Sequence, residues 1–514
     1  MPETKIIVLD DDPTGSQTVH SCLLLTRWDA ATLQQALLDD APLFFVLTNT
    51  RGMDAARAAA VTGEVCDNLK LALADLAAGG RRIQPILVSR SDSTLRGHYP
   101  VETDVIAEKL GPFDAHFLVP AFFEGGRFTR DSVHYLMVDG KPTPVHETEF
   151  ARDSVFGYRH SHLPDYVEEK TRGRIQAGEV ERFLLTDLRG RTGLPLPASP
   201  ARGGGANPLP AGGGEGGVSR SIASCRRSRW AMQRPPWTGG GGEKTPDLAV
   251  RLFNLAGNRC CVVDAETQAD LEHFATQLKA AAAQGKRFLF RSAASLLTAL
   301  AGLPPQPVAA EAMRAYTRGG RPGAVIVGSH VKKTTAQLER LLAEPGVTAL
   351  EVDVDRIQPE RAGLLADILA RAAAAHAAGL TPVVFTSRAE RQFPDQAQRL
   401  AFGEAVSAFL MDVVRGLPPT LGFLVGKGGI TSNDVLSRGL ALRTARVLGQ
   451  VLAGCSVVRC PADHPRFPDL PVVIFPGNVG DEAALATVVR RFSEKSAPGG
   501  SARHNPRHEA SLSL

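Results

Sequence analysis

Ile6-Ile7-Val8-Leu9-Asp10-Asp11-Asp12-Pro13-Thr14-Gly15-Ser16-Gln17 is the stretch whose reading decides the fold. Four apolar, largely β-branched residues predict a buried parallel strand, and they run directly into three carboxylates and a Pro-Thr-Gly turn. Acid groups are thereby placed at the carboxyl end of a strand. In open α/β sheets the loops diverge there and leave a crevice for ligands. Three adjacent carboxylates repel one another, and a cation or the hydroxyls of a sugar would relieve that repulsion. A solvated acidic turn is the plainer alternative.

The same pattern recurs outward from this stretch. A second short apolar segment spans 21–26, and an amphipathic helix is expected over 30–38. The apolar run 43–47 ends in Thr48-Asn49-Thr50-Arg51-Gly52, and the Ala/Leu-rich stretch 55–78 predicts a helix of several turns. Run 85–88 leads into Ser89-Arg90-Ser91-Asp92-Ser93-Thr94-Leu95-Arg96-Gly97-His98, and 117–120 into Ala121-Phe122-Phe123-Glu124-Gly125-Gly126-Arg127. Four strands ending in polar loops, with helices between, predict a parallel sheet with helices on its faces. Further strands are expected at 260–263 and 288–290, around a helix over 268–284.

Proline and glycine accumulate at 303–322, which sets the expected domain boundary. Beyond it the alternation resumes, with strands at 324–327, 348–352, 382–385, 422–425, 456–459 and 472–475 and helices over 335–342, 359–378, 395–416 and 433–440. The fold class read from this is α/β, with two domains, 1–302 and 318–495, each a mostly parallel sheet with helices on both faces. The stretch 190–244, rich in Gly, Pro and Arg, shows no periodicity and is expected to be a disordered insertion, as is the tail 496–514.

A chain of 514 residues, 43% apolar and 22% charged, is ordinary for a soluble globular protein of two or three domains. No run of about 18 apolar residues exists, so no membrane partner is expected. The first residues lack the basic and apolar regions of a signal peptide, which predicts a cytoplasmic protein. The seven cysteines include no Cys-x-x-Cys pair, so neither a zinc site nor a disulfide framework is indicated. The net charge of +4 is carried by 190–244, where eight Lys/Arg face two Glu; the remainder, 4 − 6, is −2, and no nucleic-acid partner is expected.

Two kinds of loop carry chemistry. Asp11, Asp12, Asn49, Arg51, Asp92, Ser93, Arg96, Glu124 and Arg127 combine forked guanidinium donors with acids and amides, the mixture that an acid sugar requires. His98, His134 and His146 lie nearby, without metal-ligand spacing, and are read as structural or solvated. In the second half, Gly328-Ser329-His330 before Lys332-Lys333-Thr334-Thr335, Gly426-Lys427-Gly428-Gly429-Ile430-Thr431-Ser432, and Pro476-Gly477-Asn478 are glycine turns after strands. Such turns let backbone amides close on a phosphate. The second does not match the Walker pattern, and a plain turn with Ser432 or Asn433 as helix cap is its alternative.

Asp11-Asp12-Pro13-Thr14-Gly15, Ser91-Asp92-Ser93-Thr94-Leu95-Arg96-Gly97, Pro120-Ala121-Phe122-Phe123-Glu124-Gly125-Gly126-Arg127 and Gly428-Gly429-Ile430-Thr431-Ser432 together resemble the four-carbon acid sugar kinase family. That family includes 3-oxo-tetronate, D-threonate, D-erythronate and 3-oxo-isoapionate kinases. The resemblance implies an N-terminal acid-sugar domain and a C-terminal nucleotide domain facing each other across a cleft. Carried over by motif, it puts ATP contacts at Ser329, Gly428, Gly429, Ile430, Thr431 and Gly477. Many members carry an acid where Ile430 stands, so a metal or ribose contact there is not carried over by the resemblance, and the segment 190–244 departs from the family pattern.

The expected activity is ATP- and Mg2+-dependent phosphorylation of a hydroxyl on a small sugar acid, with a homodimer as the expected assembly. Asp12 is expected as general base and Asp11 as an alternative Mg2+ ligand. Arg96, with Arg51 and Arg127, is expected to grip the substrate carboxylate or the γ-phosphate, and Gly125 to line the substrate loop. Two rivals stand beside this reading. Asp10-x-Asp12-x-Thr14 also fits a haloacid-dehalogenase-type phosphatase in which Asp10 takes the phosphoryl group, and a non-catalytic sugar-acid or nucleotide sensor would use the same loops.

Overall fold

The quoted stretch forms strand β1 (Glu3–Asp10), whose last six residues are buried, and the chain turns into a short 3-10 helix over Pro13–Ser16. The structure, a computed structural model, describes residues 3–189, 247–389, 391–477 and 479–493. The expected insertion 190–244 and tail 496–514 lie outside the described residues.

The first half continues with β2 (Leu23–Leu25), β3 (Leu43–Leu47), β4 (Ile83–Arg90), β5 (Ala115–Val119), β6 (Arg127–Arg130), β7 (Val133–Val138), β8 (Lys141–Pro144), β9 (Glu181–Phe183), β10 (Arg259–Val263) and β11 (Phe288–Ser292). The second half holds β12 (Ala324–Val327), β13 (Val347–Val352), β14 (Thr381–Thr386), β15 (Leu424–Lys427), β16 (Thr444–Leu452), β17 (Cys455–Arg459) and β18 (Pro471–Phe475). Helices cover both faces of the parallel stretches. The longest in the first half, Ala55–Ala78, starts where the Asp54 side chain accepts the Arg57 N–H. Near-continuous apolar runs in β1, β3 and β5 follow from that burial on both faces.

Two separate sheets are expected from the sequence; the structure joins them into one of fifteen strands, in the order β13-β14-β12-β15-β18-β17-β16-β2-β3-β1-β4-β11-β5-β10-β9. The join is β2, which pairs in parallel with β3 and antiparallel with β16. All three leucines of β2 are buried, and pairing on both sides leaves neither backbone edge bare. Antiparallel pairing also links β16 to β17 and β17 to β18, whereas the rest of the sheet is parallel.

In each lobe the chain reverses its direction of travel across the sheet beside the first strand. From β1 it goes to β2 and β3 on one side and then crosses to β4 on the other. From β12 it goes to β13 and β14 and then crosses to β15. Open α/β sheets bind ligands at such reversals, outside the carboxyl ends of the strands. The loops after β1 and β4, and those after β12 and β15, occupy these two places.

Three other features depart from the sequence reading. A small antiparallel sheet, β6-β7-β8, stands beside the substrate loops. The segment 303–322, read as the domain boundary, contains a 3-10 helix at Ala310–Tyr316 whose Met313 is fully buried. The helix expected at 433–440 begins at Gly429 instead and passes into a π turn at Val435–Gly439. Ser432 does not cap it, because its Oγ donates to the Gly426 carbonyl at 2.7 Å. Gly428 supplies the turn at φ +115°, a conformation that side chains resist.

Candidate functional site

Charge repulsion among the three acids after β1 is relieved by an arginine. Asn49, at φ +53°, turns the chain after β3 so that the Arg51 N–H donates to the Asp11 carbonyl at 3.2 Å. The Arg51 guanidinium then donates from Nη2 to Asp11 Oδ1 at 2.6 Å, from Nε to Asp11 Oδ2 at 3.2 Å, and from Nη1 to Asp12 Oδ2 at 3.2 Å. It also lies 4.0 Å from Asp92. Ser91 Oγ donates to Asp11 Oδ2 at 2.5 Å. Asp11 is only 1% exposed with both oxygens taken, so it orients Arg51 and is not the free ligand expected for Mg2+.

Asp12 is less enclosed. Its Oδ1 accepts from the Thr14 N–H at 2.9 Å and from Thr14 Oγ1 at 2.5 Å, and its side chain remains 21% exposed. Burial pushes its carboxyl up, but Arg51 and the Thr14 hydrogen bonds outweigh this and hold it below the ordinary carboxylate value. Asp10 behaves differently. It is fully buried, neither oxygen has a hydrogen-bond partner, and Arg90 Nη1 stands 3.6 Å away. Burial pushes it up to about 8. A side-chain carbon at Gly15 would fall 1.9 Å from its Oδ2, so the turn itself seals it. A phosphoryl acceptor must be reachable, and Asp10 is not, which removes the physical basis of the phosphatase alternative.

The β4 loop is held rigidly. Tyr158 and Tyr166 donate to the Thr94 and Leu95 carbonyls at 2.7 and 2.8 Å. Asp92 accepts from Arg96 Nε at 2.8 Å and from Thr94 Oγ1. Ser93 is nearly buried, and its carbonyl bonds His134 Nε2 at 2.8 Å. His134, pushed down to about 4 by burial, also meets Thr129 Oγ1 through Nδ1. His98 donates to the Thr50 and Met53 carbonyls, and His146 meets Ser161 Oγ at 2.7 Å. The histidines therefore brace loops. Arg127 donates to the Gly125 carbonyl at 2.7 Å, and Glu124 accepts from Gln450 of the other lobe at 3.3 Å.

The glycine turns of the second half converge. A side-chain carbon at Gly328 would fall 2.4 Å from Thr431 Oγ1, and one at Gly428 would fall 3.2 Å from the Ser329 Cβ. Thr334 Oγ1 donates to Ser329 Oγ at 3.3 Å and to the Gly477 carbonyl at 3.2 Å. Lys427 lies beneath, fully buried, and its Nζ donates to the Pro476 carbonyl at 2.6 Å and the Gly477 carbonyl at 3.1 Å. Burial pushes its ammonium down to about 8. Arg388 donates to the Ser329 carbonyl at 2.9 Å and to Thr335 Oγ1 at 2.7 Å. Ile430 projects outward, 71% exposed. Ser329, Gly428, Gly429, Ile430, Thr431 and Gly477 are thus assembled around one turn cluster.

The two loop sets meet. A side-chain carbon at Gly429 would lie 3.6 Å from Asp12 Oδ2, and Ser16 Oγ donates to Ser456 Oγ at 3.2 Å. The acid loop of one lobe and the glycine loop of the other are therefore in contact. Among the described residues no group of three or more His, Cys, Asp or Glu could hold a metal. Mg2+ is often held by one or two carboxylates together with substrate phosphates, and Asp12 Oδ2 is the donor here that fits that arrangement.

Several contributors escaped the sequence reading. Thr14 and Ser91 lie inside the quoted motifs but have no role assigned there. Glu102 accepts from Thr50 Oγ1 at 2.5 Å beneath Arg51, and Arg291 donates to the Arg96 carbonyl at 2.9 Å. Gln450 and Arg388 come from segments with no motif at all.

Residues 6–193 and 232–300 match the family model described as a sugar-binding N-terminal domain, and residues 324–485 match one described as a nucleotide-binding C-terminal domain. The chain is 32% identical over 165 residues to a D-threonate kinase of Bordetella bronchiseptica, covering 30% of this chain and 37% of that protein. It is 26% identical over 194 residues to a D-erythronate kinase of Heliobacterium modesticaldum, covering 37% of this chain and 41% of that one. These matches span about two fifths of the curated relatives' length. The crystal structure of Haemophilus influenzae protein HI1011 shares the fold, with a TM-score of 0.56 at 16% identity over 95% of this chain and 100% of that one.

Proposed function

Because the chain belongs to the four-carbon acid sugar kinase family, we propose that it transfers the γ-phosphoryl group of ATP to a hydroxyl of a four-carbon sugar acid in the gap between its lobes. The observation that carries this reading is the approach of Asp12 Oδ2 to Gly429, which sets the carboxylate of the sugar-binding lobe against the turn of the nucleotide-binding lobe.

Phosphoryl transfer asks a protein mainly for positioning and charge neutralisation. The hydroxyl oxygen forms a new bond to the γ-phosphorus, the bond from that phosphorus to the β,γ-bridging oxygen breaks to leave ADP, and the hydroxyl proton passes to Asp12 Oδ2. Arg51 keeps Asp12 ionised and aimed, while Asp92, held by Arg96, offers acceptors for neighbouring hydroxyls. The turns at Ser329, Gly428–Gly429 and Gly477 offer backbone amides to the phosphates. A Mg2+ carried on those phosphates would neutralise their charge, with the Asp12 carboxylate facing it. Ile430 adds no charge at this edge.

ADP release from ATP and Mg2+, measured over a panel of four- and five-carbon aldonic and oxo-aldonic acids, tests the proposal. Turnover with at least one four-carbon acid is expected. Acid binding without any ADP release across the panel would replace the kinase by a sensor.

A further inference from the structure

Most arginines around the acid loops already have a carboxylate. Arg51 serves Asp11 and Asp12, Arg96 serves Asp92 and stands 3.6 Å from Asp153, and Arg90 stands 3.6 Å from Asp10. Arg127 differs. It opens β6 after the Phe123–Gly125 turn, and the one side-chain hydrogen bond it makes among the described residues is from Nη1 to the Gly125 carbonyl at 2.7 Å. Its Nε is buried without a partner, and no carboxylate of the described residues is in ion-pair contact with it.

The position is built. The guanidinium lies over the Phe122 ring, 5.8 Å from its centroid, and a side chain at Gly125 would strike Nη1 at 2.0 Å. Its electrostatic neighbours are Asp92, Arg96 and Glu149, so it stands near the Asp92–Arg96 pair. Burial draws it below the usual arginine value, yet a guanidinium stays charged at neutral pH. A largely desolvated cation that meets only one carbonyl is costly until an anion completes it.

Resting on the sugar-acid reading above, we propose that Arg127 binds the carboxylate of the substrate and is the residue that selects acids over neutral polyols. Its Nη2 and the second N–H of Nη1 are the donors left for a carboxylate. Arg51 already holds Asp11 and Asp12 through Nε, Nη1 and Nη2, and Arg96 holds Asp92 through Nε with Nη1 3.6 Å from Asp153, whereas Arg127 holds no carboxylate among the described residues. The γ-phosphate is the rival anion, and it is separated from the carboxylate by which affinity the residue controls.

The test uses the full chain with Arg127→Gln and Arg127→Lys, and isothermal titration with D-threonate, D-erythronate, the matching four-carbon polyols and ATP. Loss of a charge-assisted bidentate contact is expected to weaken acid binding at least about tenfold in Arg127→Gln, with partial recovery in Arg127→Lys. Polyol and ATP affinities stay at wild-type values, and the thermal midpoint does not fall. Acid affinity within about threefold of wild type in Arg127→Gln, a loss that falls on ATP instead, or a wild type that binds no acid would each overturn the proposal. Acid binding that depends on Arg127 without any ADP release would sink the kinase reading and leave the anchor standing. Turnover with an unchanged KM for the acid in Arg127→Gln would do the reverse.

Discussion

At Asp12 and Asp10, two neighbouring carboxylates take opposite fates from their surroundings. Asp12 is kept ionised by Arg51 and Thr14, so it can accept a proton only as one is released to it in the transition state. Asp12→Asn is expected to lower kcat by roughly two to four orders of magnitude while KM for ATP moves little, and turnover within a few-fold of wild type would remove Asp12 as base. Asp10 titrates near 8 in the fold against about 4 in an unfolded chain, so the folded state binds the extra proton between these values. Its contribution to stability is present below about pH 4 and is lost as pH rises through about 8, with a slope of up to ~1.4 kcal/mol per pH unit. Urea midpoints at pH 5 and pH 8 should therefore converge in Asp10→Asn. An unchanged difference would show that Asp10 is ionised throughout. Which acid is sealed and which is open was not legible in Asp10-Asp11-Asp12, because strand alternation and a turn together decide it. The same holds for the arginines: their presence was readable, their partners were not.

Among elements, the strands with long apolar runs and glycine-marked ends were legible, since burial on both faces demands them. Strand β16 and the β6-β7-β8 sheet were not, because their residues mix polar and apolar side chains and their pairing is with distant or antiparallel partners. The helix after β15 was misplaced by four residues because Ser432 and Asn433 look like caps, while the true start is set by Gly428. Gly428→Ala places a side chain at φ +115° and against Ser329, which costs about 1–3 kcal/mol of local strain. KM for ATP is expected to rise about tenfold or more with KM for the acid little changed; equal shifts in both would deny the turn a nucleotide-specific role.

For the molecule as a whole, the two halves are joined by more than a linker. Leu24, fully buried, lies within the strand that carries the sheet across, and Arg443 and Arg446 add ion pairs to Asp29 and Asp39 on either side. Calorimetry is therefore expected to give one cooperative transition. Leu24→Ala should destabilise by about 2–5 kcal/mol and lower that single peak. Two resolved peaks in the unaltered chain would mean that the lobes melt independently. Two lobes were readable from the alternation of elements, but their fusion was not, since no local pattern announces a pairing between β2 and β16.

That pairing also orders events at the ribosome. Thr26 waits for Leu442, 416 positions later, so the first lobe emerges with Leu23-Leu24-Leu25 as an unprotected sheet border. Until the second lobe has been synthesised, that border can recruit any extended apolar segment, including its counterpart on another nascent chain. A polypeptide stopped near residue 302 would keep this hazard permanently, and its sticky margin would draw copies together into aggregates.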